Sequence, residues 1–170
     1  MKRMLVLALL SFALFGCTAT QVRPEADVDS SLRAFLPQWE AAQSSFINGD
    51  AALWKQNASQ HDDATIFGAF GGYEKGWNEV GPRYGWASSQ FTKSGATSKA
   101  EYLNIGGSGD LAYTVSIERH EGRMTHQDKP TPRALRVTQI FRREDGVWKL
   151  LHRHADPLTE KKAPSAVPQN

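Results

Sequence analysis

The sequence predicts an α+β fold in which three N-terminal helices pack on a curved antiparallel sheet. Apolar residues recur at spacings of three and four over the first half of the chain, and the spacing drops to two from about Thr97 onward. Helices followed by strands bury their apolar faces as two layers around one core. A length of 170 residues, 40% hydrophobic and 22% charged, suits one such domain and argues against wholesale disorder. The single cysteine excludes an internal disulfide and a multi-cysteine zinc site.

The first helix is expected over Ser31 to Asn48, where Leu32, Phe35, Trp39, Ala42 and Phe46 form one apolar stripe. Pro37 favours a start near Leu36, and Gly49 ends the helix. Asp50 caps a short second helix to about Asn57, with Leu53 and Trp54 facing inward. Ala64 to Phe67 reads as a strand, broken by Gly68, Gly71 and Gly72. A third helix is expected over Gly76 to Phe91, interrupted at Gly81-Pro82 and Gly85. Strands follow at about Thr97–Ile105, Leu111–His120, Arg133–Arg143 and Val147–Ala155. Residues 106–109 (Gly-Gly-Ser-Gly) read as a turn, Asp145-Gly146 as a tight hairpin, and Glu121 to Pro132 as a long polar loop.

The N-terminus reads as an address. Lys2 and Arg3 precede an apolar run from Met4 to Phe15, too short to cross a bilayer core that takes about 20 residues. Leu14-Phe15-Gly16-Cys17 resembles a bacterial lipobox. That resemblance implies cleavage before Cys17, a lipid thioether on its sulfur, and acylation (palmitate or a similar chain) of the new N-terminus. Several acyl chains anchor a protein firmly in a bilayer. Thr18, where Asp would favour inner-membrane retention, directs the expectation to the outer membrane, facing the periplasm. Loss of residues 1–16 removes two bases from the 20 Lys+Arg, leaving 18 against 18 Asp+Glu. A neutral mature chain gives no electrostatic case for nucleic acid. The expected organisation is signal 1–16, lipidated Cys17 and tether 17–30, one domain 31–158, and a disordered tail 159–170.

Three motifs carry a further resemblance. Phe46-Ile47-Asn48-Gly49-Asp50 resembles a helix-one exit, His61-Asp62-Asp63-Ala64-Thr65-Ile66-Phe67 the approach to strand one, and Phe141 to His154 a terminal hairpin, all of the SnoaL-like, or nuclear transport factor two-like, superfamily. The superfamily includes ketosteroid isomerases. The resemblance implies a cone-shaped half-barrel with a pocket between helices and sheet, and a homodimer through the sheet. Aligned on these motifs, the isomerase tyrosine falls on Ala42, its catalytic base on Gly68 and its oxyanion acid near Gln139. Gly68 cannot shuttle a proton and Ala42 cannot donate a hydrogen bond, so isomerase chemistry is not expected.

Strict alternation places Trp148, Leu150, His152 and His154 on one face of the last strand, and Leu135, Val137, Gln139 and Phe141 on one face of its neighbour. The third helix brings Tyr73, Trp77, Tyr84 and Trp86 to the pocket mouth. The expected ligand-binding residues are Tyr73, Trp77, Trp86, Gln139, His152 and His154. If the protein is an enzyme (isomerase, cyclase or hydrolase), His152 and His154 are its acid/base groups. A metal held by this pair with His120 or Glu118 is weighed and not adopted; no cofactor is expected. Asp62 and Asp63 read as the turn into the first strand, and Trp39, Trp54 and Trp148 as core. Arg119, Arg123, Arg133, Arg136, Arg142, Arg143 and Arg153 read as a solvated surface. The favoured function is a membrane-tethered module binding a small apolar or amphipathic molecule. Catalysis and an envelope accessory or assembly role remain alternatives.

Overall fold

A computed structural model describes residues 25–161. The signal segment, Cys17, the first part of the tether and residues 162–170 of the tail lie outside the described residues. The elements, in chain order, are α1 (Glu25–Phe46), α2 (Ala52–Gln56), β1 (Thr65–Phe67), β2 (Glu74–Lys75), α3 (Trp77–Ser89), β3 (Phe91–Thr92), β4 (Ser98–Ser108), β5 (Leu111–His120), β6 (Arg123–Met124), β7 (Arg133–Glu144) and β8 (Val147–Pro157). Six strands form an open, curved sheet in the order β2-β1-β8-β7-β5-β4, antiparallel except where β1 runs parallel to β8. The α+β half-barrel expected from the sequence is what forms.

Helix α1 begins at Glu25 rather than Ser31 and carries Pro37 in its interior. Proline removes one helical hydrogen bond. Burial of Val28 and Leu32, upstream of it, offsets that loss. The stripe Val28, Leu32, Phe35, Leu36, Trp39 and Ala42 then lies across the inner face of the sheet. Trp39 and Phe35 each meet Phe141 edge-on at 5.8 Å, and Trp39 lies 4.5 Å from Trp54 of α2. Ala51, not the expected Asp50, is the N-cap of α2, and its side chain makes no cap bond; Asp50 Oδ1 instead accepts from the Ala52 amide at 2.8 Å, a local turn that leads into the helix.

The hairpin at Asp145-Gly146 forms as read, both residues taking positive φ (49° and 82°), the geometry a two-residue hairpin turn requires. Three further expectations are corrected. Gly106 to Ser108 end β4, and the turn follows at Gly109 and Asp110. A Cβ on Gly107 would sit 2.7 Å from Val28 Cγ1, so glycine there admits α1 against the strand. The loop after His120 contains β6, which pairs with β3 in a separate two-stranded antiparallel sheet. Most consequentially, β8 does not alternate strictly. Ile140 pairs with His152 but Phe141 pairs with Leu150, so Leu151 is an extra residue and a bulge inverts the phase of the strand beyond it. Trp148 and Leu150 point inward, and Arg153 and Ala155 continue that face. His152 and His154 point outward.

Candidate functional site

Between the helices and the inner face of the sheet lies a cavity of about 440 Å³, within the range of small-molecule sites. Phe46, Trp54, Tyr84, Phe91 and Ile66 supply much of its apolar wall, from α1, α2, α3, β3 and β1. Gly68, Ala69, Phe70 and Arg83 line it between β1 and α3. Burial pushes the Tyr84 hydroxyl up to about 12, so it stays a neutral hydrogen-bonding group in the wall.

The polar floor comes from β5, β7 and β8. Arg153 donates to both oxygens of Glu118, at 2.8 and 2.6 Å, with side chains only 7% and 5% exposed. Gln43 of α1 donates to Glu118 Oε1 at 2.5 Å. Its amide nitrogen is thereby fixed on the carboxylate, and its oxygen remains a buried acceptor without a partner in the cavity wall. Below Arg153, Gln139 satisfies its neighbours when its oxygen faces them. It then accepts from Arg153 Nη1 at 2.9 Å and Trp39 Nε1 at 3.0 Å, and donates to Thr114 Oγ1 at 3.1 Å. The reverse orientation would set donor against donor.

His120 and Arg133 line the opposite part of the cavity. Gly122 donates its amide N–H to His120 Nδ1 at 3.2 Å, so the neutral ring carries its proton on Nε2. A Cβ on Gly122 would lie 3.1 Å from Ile47 O and from Phe91 Cδ1, so glycine is what lets that amide approach. Burial, followed by the charge of Arg133, lowers the His120 pKa to about 4 against the opposing pull of Glu118. His120 is therefore neutral at pH 7. Arg133 donates to Gly122 O, Thr131 O and Gln127 Oε1, all uncharged acceptors.

Of the residues singled out in the sequence, Gln139 faces inward but lies beneath Arg153, its polar atoms engaged. Trp86 is outside the cavity wall, 46% exposed, with the Arg83 guanidinium 4.3 Å over its ring and Phe70 edge-on at 5.5 Å. It supports two lining residues rather than lining the cavity itself. Trp77 packs on the core. Tyr73 and His154 share a shallow groove with Phe67 and Asp156 on the other face of the sheet. His152 Nδ1 lies 2.8 Å from Thr65 Oγ1 on that same face, and burial and then His154 hold its pKa below the usual imidazole value. The placement of His152 and His154 on the Trp148 face is thus corrected by the bulge. His120 and Glu118 point to the cavity side, so the four groups weighed as a metal set do not converge.

The residues that form the floor had other readings. Arg153 and Arg133 were expected on a solvated surface, yet both line the cavity. Strand β5 turns Ala112, Thr114, Ser116, Glu118 and His120 inward, and leaves Leu111 and Tyr113 exposed. Its more polar side faces the site. The signal available in the sequence was the pairing of Glu118 and His120 two apart on one strand, where both must share a side. Glu118 is the one carboxylate among the described lining residues. Gly68, the position of the isomerase base, also lines the cavity and offers no titratable group.

Comparison with known proteins agrees with this architecture. Residues 32–159 match the SnoaL-like domain family. A nuclear transport factor 2-like superfamily protein from Salmonella enterica serovar Typhimurium superposes with a TM-score of 0.69 at 16% identity, over 84% of this chain and 99% of that one. An NTF2-like protein of unknown function from Pseudomonas putida gives a TM-score of 0.58 at 20% identity, over 77% of this chain and 87% of the other. No curated protein sequence matches the chain. Identities this low speak to fold alone, whereas the family match spans the sheet and all of the helical layer except the first turns of α1: the chain belongs to the SnoaL-like domain family.

Proposed function

We propose that this protein is a lipid-anchored binding module of a bacterial envelope, whose cavity holds a small apolar or amphipathic molecule. The observation that carries the reading is the cavity itself. Folded interiors leave few voids larger than a water, because lining atoms facing a void forfeit their contacts. A space of about 440 Å³ walled by aromatic rings, with the Gln43 oxygen unpaired in its wall, suits an occupant better than a core. Anchoring rests on the lipobox-like sequence ending at Cys17.

The binding reading is favoured over catalysis by the fate of the expected acid/base groups. His152 and His154 face away from the cavity, and Glu118 is held in an ion pair by Arg153 and bonded by Gln43. Exposed Leu111 and Tyr113 on β5, with Leu103 on β4, support a homodimer through the outer face of the sheet.

The test is titration of the full chain with N-phenyl-1-naphthylamine, a neutral apolar fluorophore, read by its emission and by quenching of tryptophan. Saturable binding is expected, and Ala87→Phe, which fills the cavity from α3, should abolish it while leaving the fold intact by circular dichroism. Binding unaffected by Ala87→Phe, or none in either form, would overturn the reading. Cys17→Ser should move the protein from the membrane to the soluble fraction.

A further inference from the structure

His120 and Arg133 border more than the inner cavity. On their far side is a second, more open recess of about 820 Å³, and His120, Arg133 and Ala134 line both spaces. The two are therefore neighbours across a shared wall of three residues, but their chemistry differs. The inner space is walled mainly by aromatic and aliphatic side chains. The recess carries Lys99, Arg119 and Arg133 against one acid, Glu121. Arg119 is already paired with Glu101 at 2.7 Å. Arg133 is hydrogen-bonded only to neutral oxygens, so its charge meets no carboxylate there. The neutral His120 ring keeps its Nε2–H as a donor at the same boundary, since Nδ1 is taken by the Gly122 amide.

From this we infer that the two spaces form one two-part site for a single-chain anionic amphiphile. Its apolar body lies in the inner cavity and its acid head sits at Arg133 and Lys99. The inference rests on the binding reading above and gives it a ligand class. A cationic head would meet the Arg133 charge, and a neutral head would leave that charge as it stands. A carboxylate at the boundary compensates Arg133 and accepts from His120, and the walls behind it exclude water from the chain. Long-range attraction by Lys99 and Arg133 falls with added salt.

The experiment is calorimetric titration of the full chain with three probes of equal chain length: decanoate, decanol and decyltrimethylammonium, each below its micelle concentration. Decanoate is expected to bind about tenfold more tightly than decanol at low salt, with the cationic probe weakest. The gap between decanoate and decanol should narrow in Lys99→Gln, an exposed position that does not threaten folding, and close further in Arg133→Gln. Arg136→Gln removes an equal charge from the outer face of β7 and should leave the gap as it was. Equal affinity for decanoate and decanol, or a gap that survives both Lys99→Gln and Arg133→Gln, overturns the anionic-head assignment while leaving an apolar binding cavity in place. Failure of all three probes to bind overturns both.

Discussion

Strand β8 carries an acid–base pair on each of its faces, from adjacent residues. Inward, Arg153 grips Glu118 through two hydrogen bonds of 2.8 and 2.6 Å, with both side chains nearly fully buried. Outward, His154 Nε2 lies 3.2 Å from Asp156 Oδ2, with side chains 48% and 50% exposed. The chemistry is similar and the surroundings are not. Water screens the outer pair, which has little to lose. The inner pair has been taken out of water, and each member depends on the other for compensation. One face of the strand thus holds a fixed polar floor, and the other a solvated surface.

Removing the inner counter-ion should produce the largest effect. Glu118→Gln leaves the Arg153 guanidinium buried without a charge partner and should cost about 3–5 kcal/mol in denaturant unfolding. The double change Glu118→Met with Arg153→Met should recover much of that loss, since neither charge then remains to be compensated. A cost for Glu118→Gln no larger than that of a surface pair would erase the contrast between the faces.

Acid offers a second, smaller perturbation of the same floor. His120 ionises near 6.5 when unfolded and near 4 when folded. Between those values the unfolded chain binds the proton and the folded chain does not, so stability falls as pH drops through that window. The loss should be about 2–3 kcal/mol, visible as a falling melting temperature from pH 7 to pH 4.5. Burial and the charges of Arg133 and Arg153 drive the shift, with Glu118 opposing it. The depressed pKa of His152 acts in the same direction. His120→Asn keeps a side-chain acceptor near the Gly122 amide and should flatten the slope; an unchanged slope would mean that His120 titrates normally. Least of all, His154→Ala on the outer face should shift stability by under about 0.5 kcal/mol. A shift comparable to that of Glu118→Gln would show that the outer face is covered in the functional protein.

Much of the fold could be read from residue patterns because those patterns are local. The stripe through Leu32, Phe35, Trp39 and Ala42 found its layer, and Asp145-Gly146 formed its turn, since positive φ at both positions is a property of that pair of residues in a hairpin. The core tryptophans Trp39, Trp54 and Trp148 are buried as their spacing implied. Less of the site could be read. Gln139 was placed on the inner face, but its role beneath Arg153 depends on Trp39 and Thr114, which come from elsewhere in the chain. Tyr73 and Trp86 were expected at the pocket mouth, brought there by the third helix. Here both stay largely exposed, outside the cavity wall.

The sequence by itself determined the fold class, the order of most elements and the absence of a titratable group at Gly68. Those follow from periodicity and from what a residue type can do. Only the tertiary structure decided which side of the strands faces the cavity. The period-two rule holds while each residue has one partner across the ladder, and the extra Leu151 breaks that correspondence with β7. One unpaired residue turned His152 and His154 outward and Arg153 inward, where Glu118 was waiting on β5 to compensate it. Periodicity on one strand cannot register such an exchange, because a bulge is a relation between two strands.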